Sequence, residues 1–197
     1  MDLATMRGLV RRDLKDEDAA NYVWTDDEID RAIQKAVSEL DKHVPRSMRN
    51  TVATTDGSRE IDISALTNRI SVDKVEFPTG EHPLSFQRFS VYLDTLTLID
   101  SYEGDGEDCY IYWSTVHTLD GSTSTIPAEL ETLVALGASA YAVIAQGRYH
   151  SDRANTGGQN VDRDYAYWSR DRLKEFKEGL KKASRHNKVR SNVLYAE

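Results

Sequence analysis

A chain of 197 residues with 29% charged and 39% hydrophobic residues has ordinary globular composition, which argues against wholesale disorder and against a membrane-embedded chain. Its one cysteine excludes an intrachain disulfide framework and fits a reducing compartment. The net charge of −8 is unevenly spread: residues 160–197 hold ten Lys/Arg against six Asp/Glu and the remainder fifteen against twenty-seven, so an acidic body precedes a basic end.

The acidic body speaks against broad phosphate binding, while the basic end suits an acidic partner surface, nucleic acid, or simple solvation. No secretory signal is expected, because "MDLATMRGLVRRDLKDEDAANY" turns charged before an apolar core can develop. No membrane span is expected either, since the uncharged stretch from Thr132 to Gly147 falls short of the roughly 20 apolar residues that crossing needs.

In chain order, Leu3, Met6, Leu9, Val10 and Leu14 fall on one helical stripe and predict a helix over 3–14. A second helix, 26–43, opens on Thr25 as N-cap with Glu28 completing a capping box. It presents Ile29, Ile33, Ala36, Val37 and Leu40 on one face and is closed by Pro45. From about 50 to 119 the period changes: "REIDIS", "RISVDKVEFP", "SVYLDTLTLID" and "CYIYWSTVHTL" read as four or five antiparallel strands, with "YEGDGED" as the clearest hairpin turn. Pro127 suits a first helical turn, and 127–146 is apolar nearly all round, the mark of a buried helix. Gly137, Ala138, Ala140 and Ala142 leave room on it for another helix or a neighbouring subunit. After the loop "GRYHSDRANTGGQN", a last helix spans 161–183, and the tail 187–197 has no periodicity. The expected class is α+β, mainly α: a helical bundle in one domain (1–186), with an antiparallel β insertion and an extended C-terminal tail.

The stretch "YIYWSTVHTLDGSTSTIPAEL" gathers Cys109, His117 and Asp120 near a helix start. In an unbroken strand, eight residues at about 3.3 Å each would hold Cys109 roughly 26 Å from His117, too far for a nucleophile and its base. Cys109 therefore reads as a small strand residue. His117 reads as a loop histidine able to pair with Asp120 across the turn. The acidic turn of Glu103, Asp105, Glu107 and Asp108 lacks the alternation and distal glutamate of an EF-hand, and His43, His82, His150 and His186 show no zinc spacing. No catalytic residue, metal or cofactor is expected. "RDYAYWSRDRLK" combines Tyr165, Tyr167 and Trp168 with Arg163, Arg170 and Arg172, which suits single-stranded nucleic acid, although Tyr165 and Trp168 also stand at core spacing.

The passages "WTDDEIDRAIQKAVSEL", "PLSFQRFSVYLDTLTL" and "YIYWSTVHTLDGSTSTIPAELETLVALGASAYA", followed by a charged helix, resemble in that order the head-to-tail connector (adaptor) proteins of tailed bacteriophages. The resemblance covers about Trp24 to Lys182. It implies a non-enzymatic virion protein of the neck, made in the host bacterial cytoplasm. Its partners would be the portal protein, a stopper or tail-completion protein, and other copies of itself in a ring, a dodecamer by analogy. DNA would pass through the lumen without specific binding, and no membrane is involved. Carried onto this chain, Trp24, Thr25, Trp113, Ile126 and Pro127 mark structural junctions, with Trp113 and Ile126 pinning the β segment to the bundle. Gly137, Ala138 and Tyr141 would serve subunit packing, and Lys188, Val189, Arg190, Val193, Leu194 and Tyr195 would dock on the portal. The nucleic-acid-binding module using the last helix is the alternative.

Overall fold

The computed structural model describes residues 1–99, 103–150 and 161–184, the side chains of 147–150 and 161–165 excepted. The chain divides into two compact units. A helical unit is formed by Met1–Val44 together with the described residues from His117 on, and a β unit by Pro45–Val116. The expected single domain over 1–186 is thus two bodies, each with its own hydrophobic core.

The helical unit contains α1 (Leu3–Leu14), α2 (Asp26–His43), α3 (Ala128–His150) and α4 (Val161–Ser184). α1 starts at Asp2, whose side chain accepts from the Thr5 N–H, and stops at Lys15, which turns into the left-handed region. In α2 the capping box forms as its sequence requires: Thr25 accepts from the Glu28 N–H, and Glu28 reaches back to the Thr25 N–H at 2.8 Å. α3 runs four residues beyond the expected end at 146, because Gly147 continues the helix instead of breaking it.

α3 packs against α1, α2 and α4, which explains why it is apolar nearly all round. By length and composition alone, Ala128–Gln146 could cross a membrane; half of that window is buried inside the protein. Around it the core collects Met6 and Val10 from α1, Ile29, Ile33, Ala36 and Leu40 from α2, and Phe176 and Leu180 from α4. Burying these stripes, at about 1.5–3 kcal/mol per large side chain, is the main drive for the unit's assembly.

The β unit holds seven strands: β1 (Arg46–Ala53), β2 (Glu60–Asp62), β3 (Arg69–Glu76), β4 (Phe86–Gln87), β5 (Phe89–Tyr92), β6 (Thr95–Leu98) and β7 (Asp108–Thr115). They form two antiparallel sheets, ordered β1-β7-β3-β4 and β2-β6-β5. Ile61, Ile63, Leu66, Leu96 and Leu98 meet Val75, Cys109, Ile111 and Trp113 in one core.

Three expectations are corrected here. The β segment begins at Arg46 rather than 50, since β1 follows Pro45 directly and its polar residues alternate in burial along the edge of the sheet. It ends at Thr115 rather than 119. "YEGDGED" is no hairpin turn, because β6 and β7 on either side of it belong to different sheets. The tight hairpin lies instead inside "SVYLDTLTLID", where Leu93 and Asp94 join β5 to β6.

Candidate functional site

The residues that could do chemistry in the 109–120 stretch are each taken up by local structure. Cys109 faces the core of the β unit, fully buried, and burial pushes its thiol up to about 11, so it stays protonated at neutral pH. His117 belongs to the helical unit, where its partner is Asp41 of α2 and not Asp120. The His117 backbone N–H donates to Asp41 Oδ1 at 2.9 Å, and ring Nδ1 lies 2.7 Å from the same oxygen, with both side chains largely buried.

Asp120 closes its own turn. It accepts from the Ser122 N–H at 2.8 Å, the Thr123 N–H at 2.7 Å and the Thr123 hydroxyl at 2.9 Å. The two N–H groups lead the causes that hold its carboxyl down at about 2. A second clasp, from the Thr125 N–H to the Thr118 carbonyl at 2.9 Å, completes the approach to α3. The Ser122 and Thr123 hydroxyls beside Asp120 are tied to its carboxylate, at 3.1 and 2.9 Å.

The junction residues divide between the units. Trp113 lies in the β core, with Nε1 donating to Asn50 Oδ1 at 2.9 Å, while Ile126 is buried in the helical core with Pro127 just ahead of α3. Each therefore anchors the core of its own unit. Trp24 is buried beside the Thr25 cap, and its carbonyl accepts from Arg11 Nη2 at 3.0 Å. Gly137, Ala138 and Tyr141, expected to serve subunit packing, are occupied within the chain. Gly137 lies under the Phe176 ring, Ala138 is fully buried, and Tyr141 meets Phe176 edge-on at 6.3 Å.

On α4 the proposed stacking set splits. Tyr167 is 56% exposed, whereas Trp168 packs on the helical core with the Arg172 guanidinium 4.9 Å from its ring centre. Arg172 also stands 3.6 Å from Asp13. The side chains of Arg163 and Tyr165 lie outside the described residues.

In the acidic turn, Asp105 accepts from the Glu107 N–H at 2.9 Å, and Glu103 lies 3.5 Å from Arg59. Among the described residues no three His, Cys, Asp or Glu gather as metal ligands. The portal-docking set Lys188, Val189, Arg190, Val193, Leu194 and Tyr195 lies outside the described residues, as do His186 and the side chain of His150.

Two features of the structure carry no periodic signal in the sequence. One is the buried Arg11 cluster with Asp16 and Asp26; the other is the exposed pair Tyr92 and Leu93 at the β5–β6 tip. The tip hides within an apolar run that reads as a single strand. Among known proteins, no family model matches the chain and no curated protein is significantly similar to it.

Proposed function

We propose that this chain is a structural component of a tailed-phage neck: a head-to-tail connector that assembles as a ring between the portal and a stopper or tail-completion protein, with DNA passing through the lumen. The observation that carries the reading is the architecture itself. A helical unit is interrupted between its second and third helices by an antiparallel β unit, which is what the resemblance from Trp24 to Lys182 calls for.

The use of its reactive side chains favours a non-enzymatic role. Cys109 is buried and protonated, His117 is engaged by Asp41, and Asp120 by its own turn. The acidic body would repel the phosphate backbone and let DNA slide rather than stick.

The test is co-purification with the portal protein from the same genome, comparing the full chain with one truncated after His186. Capture that depends on the tail supports a neck adaptor docked by its C-terminus. Capture of neither chain on an assembled portal rejects the reading. Salt-sensitive binding of single-stranded DNA, lost in a still-folded Trp168→Ala protein, would then favour the nucleic-acid module.

A further inference from the structure

Exposed apolar surface is concentrated in the β unit. Of the ten large apolar side chains left exposed among the described residues, seven lie between Ile70 and Val116. Two of them stand together at the tip of the β5–β6 hairpin, Tyr92 at 80% and Leu93 at 75% exposure. Water-facing hairpin tips favour Asn, Asp or Gly, and Leu93 is doubly out of place because its φ of +51° is a region that branched L side chains avoid. Glycine at 93 would remove both the strain and the exposure.

The tip is also held firmly. Arg69 donates through Nη2 to the Leu93 carbonyl at 2.7 Å and through Nη1 to the Ile63 carbonyl at 3.1 Å, and the Ile63 N–H donates to the Asp94 carbonyl at 2.9 Å. A strained backbone that presents apolar side chains to water from a fastened turn points to a contact with another surface.

Charge indicates which surface. The tip is rimmed by exposed Asp62 and Asp94, in a unit that carries six Lys/Arg against twelve Asp/Glu. The complement is present in the same chain. On α4, exposed Arg170, Lys174 and Lys181 lie within about 60° to one side of Tyr167 at 100° per residue, with Lys177 just beyond them, while exposed Glu178 and Asp171 lie to its other side. None of Arg170, Lys174 and Lys181 makes an ion pair among the described residues.

We propose that the β5–β6 tip of one copy docks on this α4 face of a second copy, Tyr92 and Leu93 against Tyr167, with Asp62 and Asp94 against Arg170, Lys174 and Lys181. The two patches differ, so the contact is head-to-tail and each copy keeps a free patch for the next, as a ring requires. The contact deepens the connector reading and rests on it for closure of the ring.

Sedimentation velocity of the full chain over a concentration series tests it. The wild type is expected to self-associate, less so at high salt. Leu93→Gly combined with Tyr92→Ser is expected to weaken association by about tenfold or more. Leu93→Gly alone serves as the folding control, with a melting temperature equal to or above that of the wild type. Asp62→Lys, which leaves the Arg69–Asp94 pair at the tip intact, is expected to weaken association, and adding Lys174→Glu to restore it. A wild type that stays monomeric throughout, tip variants that associate like the wild type, or a charge swap that restores nothing would overturn the proposal. Portal capture is read separately on the same preparations, so failure of the connector reading and failure of this contact give different results.

Discussion

Gly137 on α3 packs directly against Phe176 of α4. A Cβ built there would fall 2.8 Å from three atoms of the Phe176 ring, which is itself fully buried and held edge-on by Tyr141. Because the buried ring would have to shift, Gly137→Ala is expected to cost about 1–3 kcal/mol by overpacking. Thermal melting checks this against Gly121→Ala, whose added methyl meets nothing within 4 Å and should leave the melt unchanged. Asp120 supplies a pH prediction. Its carboxyl sits at about 2 in the folded chain against the usual 3.8, so its contribution to stability is complete above the unfolded value and is lost as pH falls through the folded one. The difference in melting temperature between the wild type and Asp120→Asn should therefore be steady above about pH 5 and shrink between about pH 4 and 2. Equal differences at pH 6 and pH 3 would show that the turn does not depend on the charge.

At the scale of elements, the connection between α1 and α2 is organised by one buried guanidinium. Arg11 bonds Asp16, the Trp24 carbonyl and Asp26, and its guanidinium carbon stands 3.5 Å from the Tyr22 ring centre. Asp16 in turn accepts from the Val23 N–H at 2.8 Å, so the segment entering α2 is wrapped around this pair. Arg11→Ala would leave the Asp16 carboxylate buried without its cation and is expected to cost about 3–5 kcal/mol. Arg12→Ala, which loses only an exposed 3.8 Å pair with Glu17, should cost under about 1 kcal/mol in the same denaturant titration. The contrast shows what local sequence can and cannot reveal. α1 and α2 are legible because a 3.6-residue apolar stripe, the Thr25 and Glu28 box and Pro45 all act within a few turns. The pairing of Arg11 with Asp16 is close in sequence but depends on burial, which no period encodes. His117 finds Asp41 across 76 residues, so the nearer Asp120 was the natural partner to expect. The β5–β6 turn escaped notice because Leu93 and Asp94 offer no glycine to mark it, whereas the glycines of "YEGDGED" mark a passage between sheets.

For the whole molecule, the decisive fact is how the chain enters and leaves the β unit. The helical unit breaks off at Val44 and resumes at His117, and the first and last strand residues, Arg46 and Thr115, are register partners in the β1–β7 pair. Opposed residues of an antiparallel pair lie about 5 Å apart, so the two ends of the break are close and a short loop can close it at small entropic cost. Each unit has its own core, and Asp41 and His117 both remain in the helical unit when the β unit is removed. Replacing Arg46–Thr115 with a Gly/Ser linker of about five residues is therefore expected to leave a chain that is strongly helical by circular dichroism and melts in one cooperative step. A broad, non-cooperative melt would mean that the helical unit depends on the β unit for its packing. The same excision removes Tyr92, Leu93 and half the acidic excess of the body, so a folded but monomeric product is the outcome that the docking of the tip on α4 requires.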